Sequence, residues 1–450
     1  MKRWLIVLIV LLATVLLLSP GLIGRLAERN LDDNLSRVEE RNADIDIEAE
    51  SYERGWFSSE GRHRIALGQT PATALLATPE PGDAPPTLIV DTRIDHGIVP
   101  IASLGRDAGS LRPGLANAVS TVALDRGDGE LVALPGRIYS HVDLTGDTTF
   151  RYLVEPGRQV AGNTTTEWTG ADLTVRTSAD GRAFSVAGTV EPATVQSYGV
   201  TTSTGTIAID ADFEPTRYRF DVGDLSLDID TTRLRSAGTV DGGFDRLRFE
   251  WAANLDDDLD DDLDDDRDDD RFSASTTLAL SRVVIPDFGS FDLSTDVAIA
   301  DWDAVSVDRL IAAFRRGAAS EPAFEAFYPA IEQELAALAS AGGSLHIRDF
   351  RVSLPQGEME SSLSIEVPEA GSDSPEPWPS ILLATTASLD LRISVPLFRA
   401  LVDLQPDANA LLATGMLERD GDDYAMQARF TGGLLEVNGV PMSIPLGPSQ

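Results

Sequence analysis

Hydrophobic positions along the chain follow three successive patterns: an unbroken run, a spacing near that of a helix, and then a period of two. The run is Trp4 to Leu18, interrupted by Ser19-Pro20-Gly21 and closed by Leu22-Ile23. Lys2 and Arg3 precede it, and no charge follows until Arg25, so 21 uncharged residues are available. That is about the number an α-helix needs to cross a bilayer core. A removable signal needs small residues just after the apolar run. Pro20 and Arg25 disturb that position, so residues 1–23 predict a retained transmembrane anchor. Lys2 and Arg3 hold the N-terminus in the cytoplasm and send the remainder out. The expected location is the bacterial inner membrane, single-pass, with the bulk of the chain in the periplasm.

Leu22, Leu26, Leu31 and Leu35 carry helical spacing through residues 24–43, a stalk or packing helix with too few heptads for a coiled-coil seam. From Ile45 the period is two. Ile45-Asp46-Ile47-Glu48-Ala49 leads to Tyr52-Glu53-Arg54-Gly55, and Thr87–His96 reads as a strand ending in a bend at Gly97. Asp180-Gly181 and Asn438-Gly439 are hairpin turn signals. Residues 305–341 switch to helical spacing, with Val307, Leu310, Ile311 and Phe314 on one face and Phe324, Phe327, Tyr328, Ile331, Leu335 and Leu338 on a second. Strands then return, with short helices at 397–404 and 408–416. The fold class expected is mainly β with α (α+β): a long, twisted, mostly antiparallel sheet with a few packing helices, plus one N-terminal transmembrane helix. The β-rich region spans 44–450.

Charge sharpens this picture. The formal net charge is −37, which argues against nucleic acid as a partner. Residues 255–270 repeat Leu-Asp-Asp-Asp three times and end in Arg-Asp-Asp-Asp; that run carries −11, and the chain without it is still at −26. Close carboxylates repel, and three leucines offer little area against ordering entropy, so 252–272 is expected to be a disordered, low-complexity insertion. It lacks the Gly and terminal Glu of a calcium-binding EF-hand loop.

Candidate chemistry is mostly excluded. The only lysine is Lys2, on the cytoplasmic side, so Schiff bases, Walker-A loops and Ser-x-x-Lys acylation are closed to the exported part. There is no cysteine, and His63, His96, His141 and His346 show no zinc-ligand spacing. No G-x-S-x-G elbow occurs. The expectation is therefore no catalytic, cofactor-binding or metal residues, and no enzyme. The Asp95-His96 pair reads as a hydrogen-bonded turn, and Trp56-Phe57 after Gly55 as an aromatic pair capping a core edge. Arg54 suits a buried carboxylate, a phosphate or a lipid headgroup.

Three stretches carry a resemblance. Tyr52-Glu53-Arg54-Gly55-Trp56-Phe57-Ser58-Ser59, Asp95-His96-Gly97-Ile98-Val99-Pro100-Ile101-Ala102-Ser103-Leu104, and the closing Gly432-Gly433-Leu434-Leu435-Glu436-Val437-Asn438-Gly439-Val440-Pro441-Met442-Ser443 together resemble the YdgA-like family, envelope proteins of Gram-negative bacteria with unassigned function. The resemblance implies family-motif positions Tyr52, Arg54, Gly55, Trp56, Phe57, Ser58, Asp95, His96, Gly97, Pro100, Asn438 and Gly439, without a catalytic role for any. In overall design the chain is also similar to AsmA-like proteins, whose curved sheets shelter lipid. The expected role is a noncatalytic envelope component holding lipid or an apolar ligand in a β groove. The rivals are a scaffold or homodimer with a packed core, and a periplasmic hydrolase using paired carboxylates.

Overall fold

The period of two sends successive side chains to opposite faces of a strand, and strands form wherever it holds beyond residue 44. The computed structural model describes residues 45–67, 87–97, 114–125, 131–236, 242–256, 270–285, 289–318, 324–370 and 377–442. The predicted anchor and stalk, Pro100 and residues 257–269 lie outside the described residues. Among the described residues no helix is long and apolar enough to cross a membrane. The chain divides into two compact units, one within 1–159 and 167–191, the other within 160–166 and 192–450.

In the first unit the strands are β1 (Ile45–Arg54), β2 (Ser58–Leu67), β3 (Thr87–His96), β4 (Ala116–Asp125), β5 (Leu131–Ala133), β6 (Arg137–Val142) and β7 (Thr148–Val154). After β8 (Gly157–Ala161) and β9 (Thr164–Trp168) come β10 (Ala171–Thr177) and β11 (Phe184–Val190). They pair antiparallel in the order β1-β2-β3-β4-β6-β7-β10-β11, with β5 beside the end of β4. The predicted Asp180-Gly181 turn joins β10 to β11, and Gly181 takes a φ of 66° that glycine adopts without strain. One face of this sheet is apolar, with Ile94, Leu124 and Val154 buried on it. The other is polar and carries the groove described below.

In the second unit β12 (Ala193–Ser197), β13 (Val200–Thr204), β14 (Ile207–Pro215), β15 (Asp221–Ile229), β16 (Thr232–Ser236), β17 (Gly242–Phe244), β18 (Arg246–Asp256), β19 (Arg271–Ile285) and β20 (Gly289–Asp303) lead to helices α1 (Ala304–Ala318) and α2 (Phe324–Ser340). Next come β21 (Gly343–Leu354), β22 (Gly357–Val367), α3 (Trp378–Ala384), β23 (Thr386–Ser394), α4 (Val395–Leu404) and α5 (Ala410–Ala413). The described chain closes with β24 (Glu418–Asp420), β25 (Asp423–Thr431), β26 (Leu434–Val437) and β27 (Val440–Met442). The main antiparallel order is β14-β15-β18-β19-β20-β21-β22-β23-β25-β26-β27. Two apolar clusters hold it: Ala253, Phe272 and Ala304 at one site, Ile393, Phe398 and Leu417 at the other.

Several expectations change. The acidic insertion is shorter than 252–272, because β18 runs to Asp256 and β19 starts at Arg271, paired with each other. Leu255, the first leucine of the repeat, packs against the Ala253–Phe272–Ala304 cluster. Asp270, its last aspartate, is buried; it takes Arg217 Nη2 at 2.8 Å and the Tyr218 hydroxyl at 2.9 Å on Oδ2. Both roots of the repeat therefore belong to the folded unit.

Helix α1 begins one residue earlier than predicted, because Asp303 Oδ2 accepts from the Ser306 amide (2.7 Å) as an N-terminal cap. Phe314, expected on its packed face, is 47% exposed. The expected 408–416 helix is a 3₁₀ turn at Pro406–Asn409 followed by the single turn of α5. Helix α3 was not predicted: seven residues between Pro377 and Thr385 are too few to display a helical period.

Replacing 257–269 with Gly-Asn-Gly is expected to leave the thermal transition, followed by circular dichroism, within about 2 °C of the parent. Removing 255–270 strips a packed leucine and takes the Asp270 carboxylate away from Arg217 and Tyr218. It should cost about 3 kcal/mol, a fall of about 6–12 °C for a unit of this size. Equal melting of the two deletions contradicts the shortened boundaries.

Candidate functional site

Alternation along each strand of the first unit places one set of residues on a common face, and the register aligns that set into rows across the sheet. One row is Glu60, Arg93, Val119, Tyr139, Arg151 and Thr174. A second is Asp95, Asn117, His141, Thr149, Arg176 and Ser185. A third sets Arg62 against Asp91 and Thr121. An open groove of about 1800 Å³ runs along this face, lined by these residues together with Glu53, Arg137 and Asp172.

Five arginines and five carboxylates line it. Arg62 donates from Nε and Nη2 to the two oxygens of Asp91 at 2.7 and 2.9 Å, and Arg151 does the same to Asp172 at 2.8 and 2.5 Å. Arg93 Nη1 reaches Glu60 at 3.1 Å, and its Nε lies 3.6 Å from Asp95. The Arg62 and Arg151 guanidinium groups hold the Asp91 and Asp172 carboxyls below the ordinary range by hydrogen bonding and charge. Pairs of this kind, about half exposed, add little net stability and chiefly fix geometry. Two arginines differ: Arg137 and Arg176 have no hydrogen-bond or ion-pair partner among the described residues. His141 Nδ1 donates to Asn117 Oδ1 at 2.8 Å, which fixes its ring within the groove wall.

The motif positions from the sequence meet in part. β1 ends at Arg54 and β2 begins at Ser58, with the Gly55 amide donating to the Ser58 carbonyl (2.8 Å). A Cβ on Gly55 would lie 2.7 Å from that oxygen, so the turn requires glycine. Ser58 pairs with Asp95, and the His96 amide donates to the Phe57 carbonyl at 3.0 Å, so the first two motifs are one local structure. Trp56 and Phe57 do not cap a core edge: they stand at the hairpin tip, 55% and 39% exposed, because a tight turn directs its middle residues outward. Tyr52 is half-buried on β1, and Arg54 is exposed at the end of the strand, away from the groove lining.

Asp95 and His96 are consecutive residues of β3, not a turn, and point to opposite faces. Asp95 lines the groove beside Arg93, whereas His96 and Ser59, each 1% exposed, are joined on the far face by a 3.0 Å contact between Nε2 and Oγ. The Ser–His–Asp combination is thus split across the sheet, and its serine has no access to solvent. Gly97 follows with its amide on the Leu115 carbonyl.

Asn438 and Gly439 sit in the second unit, at φ of 50° and 79°, the two positive values of a type I′ hairpin. The Asn438 side chain accepts from the Gln427 amide (2.8 Å) and donates to the Gly415 and Met416 carbonyls (3.2 and 3.1 Å). That is a structural tie. Among the described residues no group of three or more acidic or histidine side chains is placed to hold a metal ion. The groove itself was missed by sequence reasoning, because its arginines are spread from 62 to 176 and only the register reveals them as neighbours.

A family model for bacterial proteins of unknown function (DUF945) matches residues 1–445. The chain belongs to this family. No curated protein matches it, and no solved structure does. The match runs across both units.

The depressed Asp91 and Asp172 values set a pH dependence. A carboxyl whose folded value lies below the ordinary Asp value of about 3.9 stabilises the fold above that pH, and the gain is lost as pH falls through the folded value. The double variant Asp91→Asn, Asp172→Asn is expected to melt below the parent at pH 7, with the difference shrinking as pH falls below the ordinary Asp value of about 3.9. A melting difference that stays constant from pH 7 to pH 2.5 would show that these pairs do not carry the effect.

Proposed function

We propose that this protein is a noncatalytic, membrane-tethered component of the bacterial envelope, YdgA-like in character, that holds a polar ligand or the polar end of an amphiphile in the first unit's groove. The groove carries this reading: an open channel of about 1800 Å³ whose wall sets five arginines and five carboxylates among apolar side chains such as Val119 and Leu153. A lipid-handling role had called for an apolar concavity. The apolar side chains on this wall, Val119, Leu153 and Ala187 among them, are interleaved with arginines and carboxylates, so the AsmA-like analogy is carried as far as a headgroup.

The noncatalytic reading draws on the same geometry. A glycosidase pair needs one carboxyl raised enough to donate a proton. In this groove Asp91 and Asp172 are pushed the other way by bidentate arginines, and the one buried serine–histidine contact is closed to substrate. Envelope placement rests on the uncharged run of residues 4–24 behind Lys2 and Arg3. A second reading, a scaffold that meets another subunit, is favoured by Leu401 and Leu404 on α4, which are 39% and 72% exposed.

Two measurements test the proposal. A reporter that is active only in the periplasm, fused after Gln450, should be active; an expressed but inactive fusion removes the tethered topology. Val119 lies mid-groove between Arg93 and Tyr139, so Val119→Trp should fill the channel. Native mass spectrometry of detergent-extracted full-length protein is expected to show a retained polar adduct that Val119→Trp lacks. Identical spectra for the two proteins, at unchanged melting temperature, sink the groove as a binding site.

A further inference from the structure

We infer that Arg137 and Arg176 form a two-point anion subsite for an acidic, hydroxyl-bearing glycan segment lying along the groove. The inference rests on the reading of the groove as a binding site and names what it takes.

Register provides the first argument. Arg62 faces Asp91 and Arg93 faces Glu60 directly across neighbouring strands, and Arg151 reaches Asp172 on the diagonal. Arg137 instead faces Leu153, and Arg176 faces Thr149 on one side and Ser185 on the other. The residues directly opposite them are neutral, and neither guanidinium has an ion-pair partner among the described residues, so their charge is not consumed within the sheet. This occurs in a chain with 73 acidic residues against 36 basic ones, where a carboxylate partner would be the commonplace outcome. A guanidinium left unpaired in a groove presents its planar donor fork to an oxyanion.

Spacing provides the second. Leu153 and Thr149 lie four residues apart on β7, about 13 Å along the strand at about 3.3 Å per residue. Arg137 and Arg176 flank β7 on opposite sides, which adds two strand spacings, about 10 Å, across the sheet. A compact monoanion meets one of them at a time, whereas an extended ligand with repeated acidic groups meets both. Between them lie the Arg151–Asp172 pair and the Tyr139 and Thr149 side chains, whose hydroxyls suit sugar hydroxyls. The chain's net charge of −37 does not forbid this, because at physiological salt charges beyond about 8 Å are largely screened.

The test uses the full-length protein in detergent and titration calorimetry with hexagalacturonate as the acidic probe. Maltohexaose serves as its neutral counterpart, and inorganic phosphate and phosphatidylglycerol vesicles as alternative anions. Hexagalacturonate is expected to bind at least tenfold more tightly than maltohexaose or phosphate, and more weakly as salt rises. Arg137→Gln with Arg176→Gln should weaken it at least tenfold without moving the melting temperature, whereas Arg62→Gln, removing a paired arginine, should change it less. If the double variant binds like the parent while Val119→Trp loses binding, the subsite falls and the groove stands. If Val119→Trp binds like the parent, the groove reading falls too. No binding of hexagalacturonate by the parent protein, or binding to the vesicles alone, overturns the inference.

Discussion

Cross-strand register in the first unit governs what its side chains can do together. Because successive residues of a strand face opposite ways, β3 delivers Asp91, Arg93 and Asp95 to one side and Val90, Ile94 and His96 to the other. A slip of one residue would bury the arginines and expose the apolar set, so the register is enforced by the whole sheet at once. The consequence is chemical as well as structural. The same alternation that builds a charged wall separates Asp95 from His96 by the thickness of the sheet, and the buried Ser59–His96 contact becomes an element of packing.

On that charged wall, ion pairing works as a positioning device. Arg62 and Arg151 are each clamped by two oxygens of one aspartate, which fixes the guanidinium plane and lowers the carboxyl's proton affinity. Groups so held cannot readily exchange protons near neutral pH, which suits recognition better than acid–base chemistry. The second unit uses the same device to a different end. Arg217 and Tyr218 on the β14–β15 connection grip Asp270, with the ring of Tyr218 stacked on Phe220 and Phe220 edge-on to Phe272. Here the pair closes over a core and anchors the root of an acidic segment.

Local turn chemistry was legible in the sequence because the signal and its effect lie within a few residues. Asp180-Gly181, Asn438-Gly439 and the glycine at 55 all sit where the backbone needs them. The helical pair after Asp303 was legible for the same reason, its period persisting over several turns. Features set by distant partners were not. Leu255 and Asp270 look like members of a repeat until Phe272 and Arg217 are placed beside them. Trp56 and Phe57 look like core residues until the four-residue turn directs them outward. The seven residues of α3 are too short for any period to show.

The groove belongs to this second class, and the reason is instructive for acidic β proteins in general. Each of its arginines sits in an ordinary alternating strand, where a polar residue at every second place signals only a solvated face. Side by side, the six strands β2-β3-β4-β6-β7-β10 turn separate polar positions into rows, and the rows acquire a property that no strand has alone: some cations find an anion opposite them and others do not. Whether an arginine is neutralised depends on the residue one strand away, Asp91 for Arg62 but Leu153 for Arg137. Specific charge in this chain is therefore a property of strand pairing, and the net charge of −37 says little about where an anion is welcome.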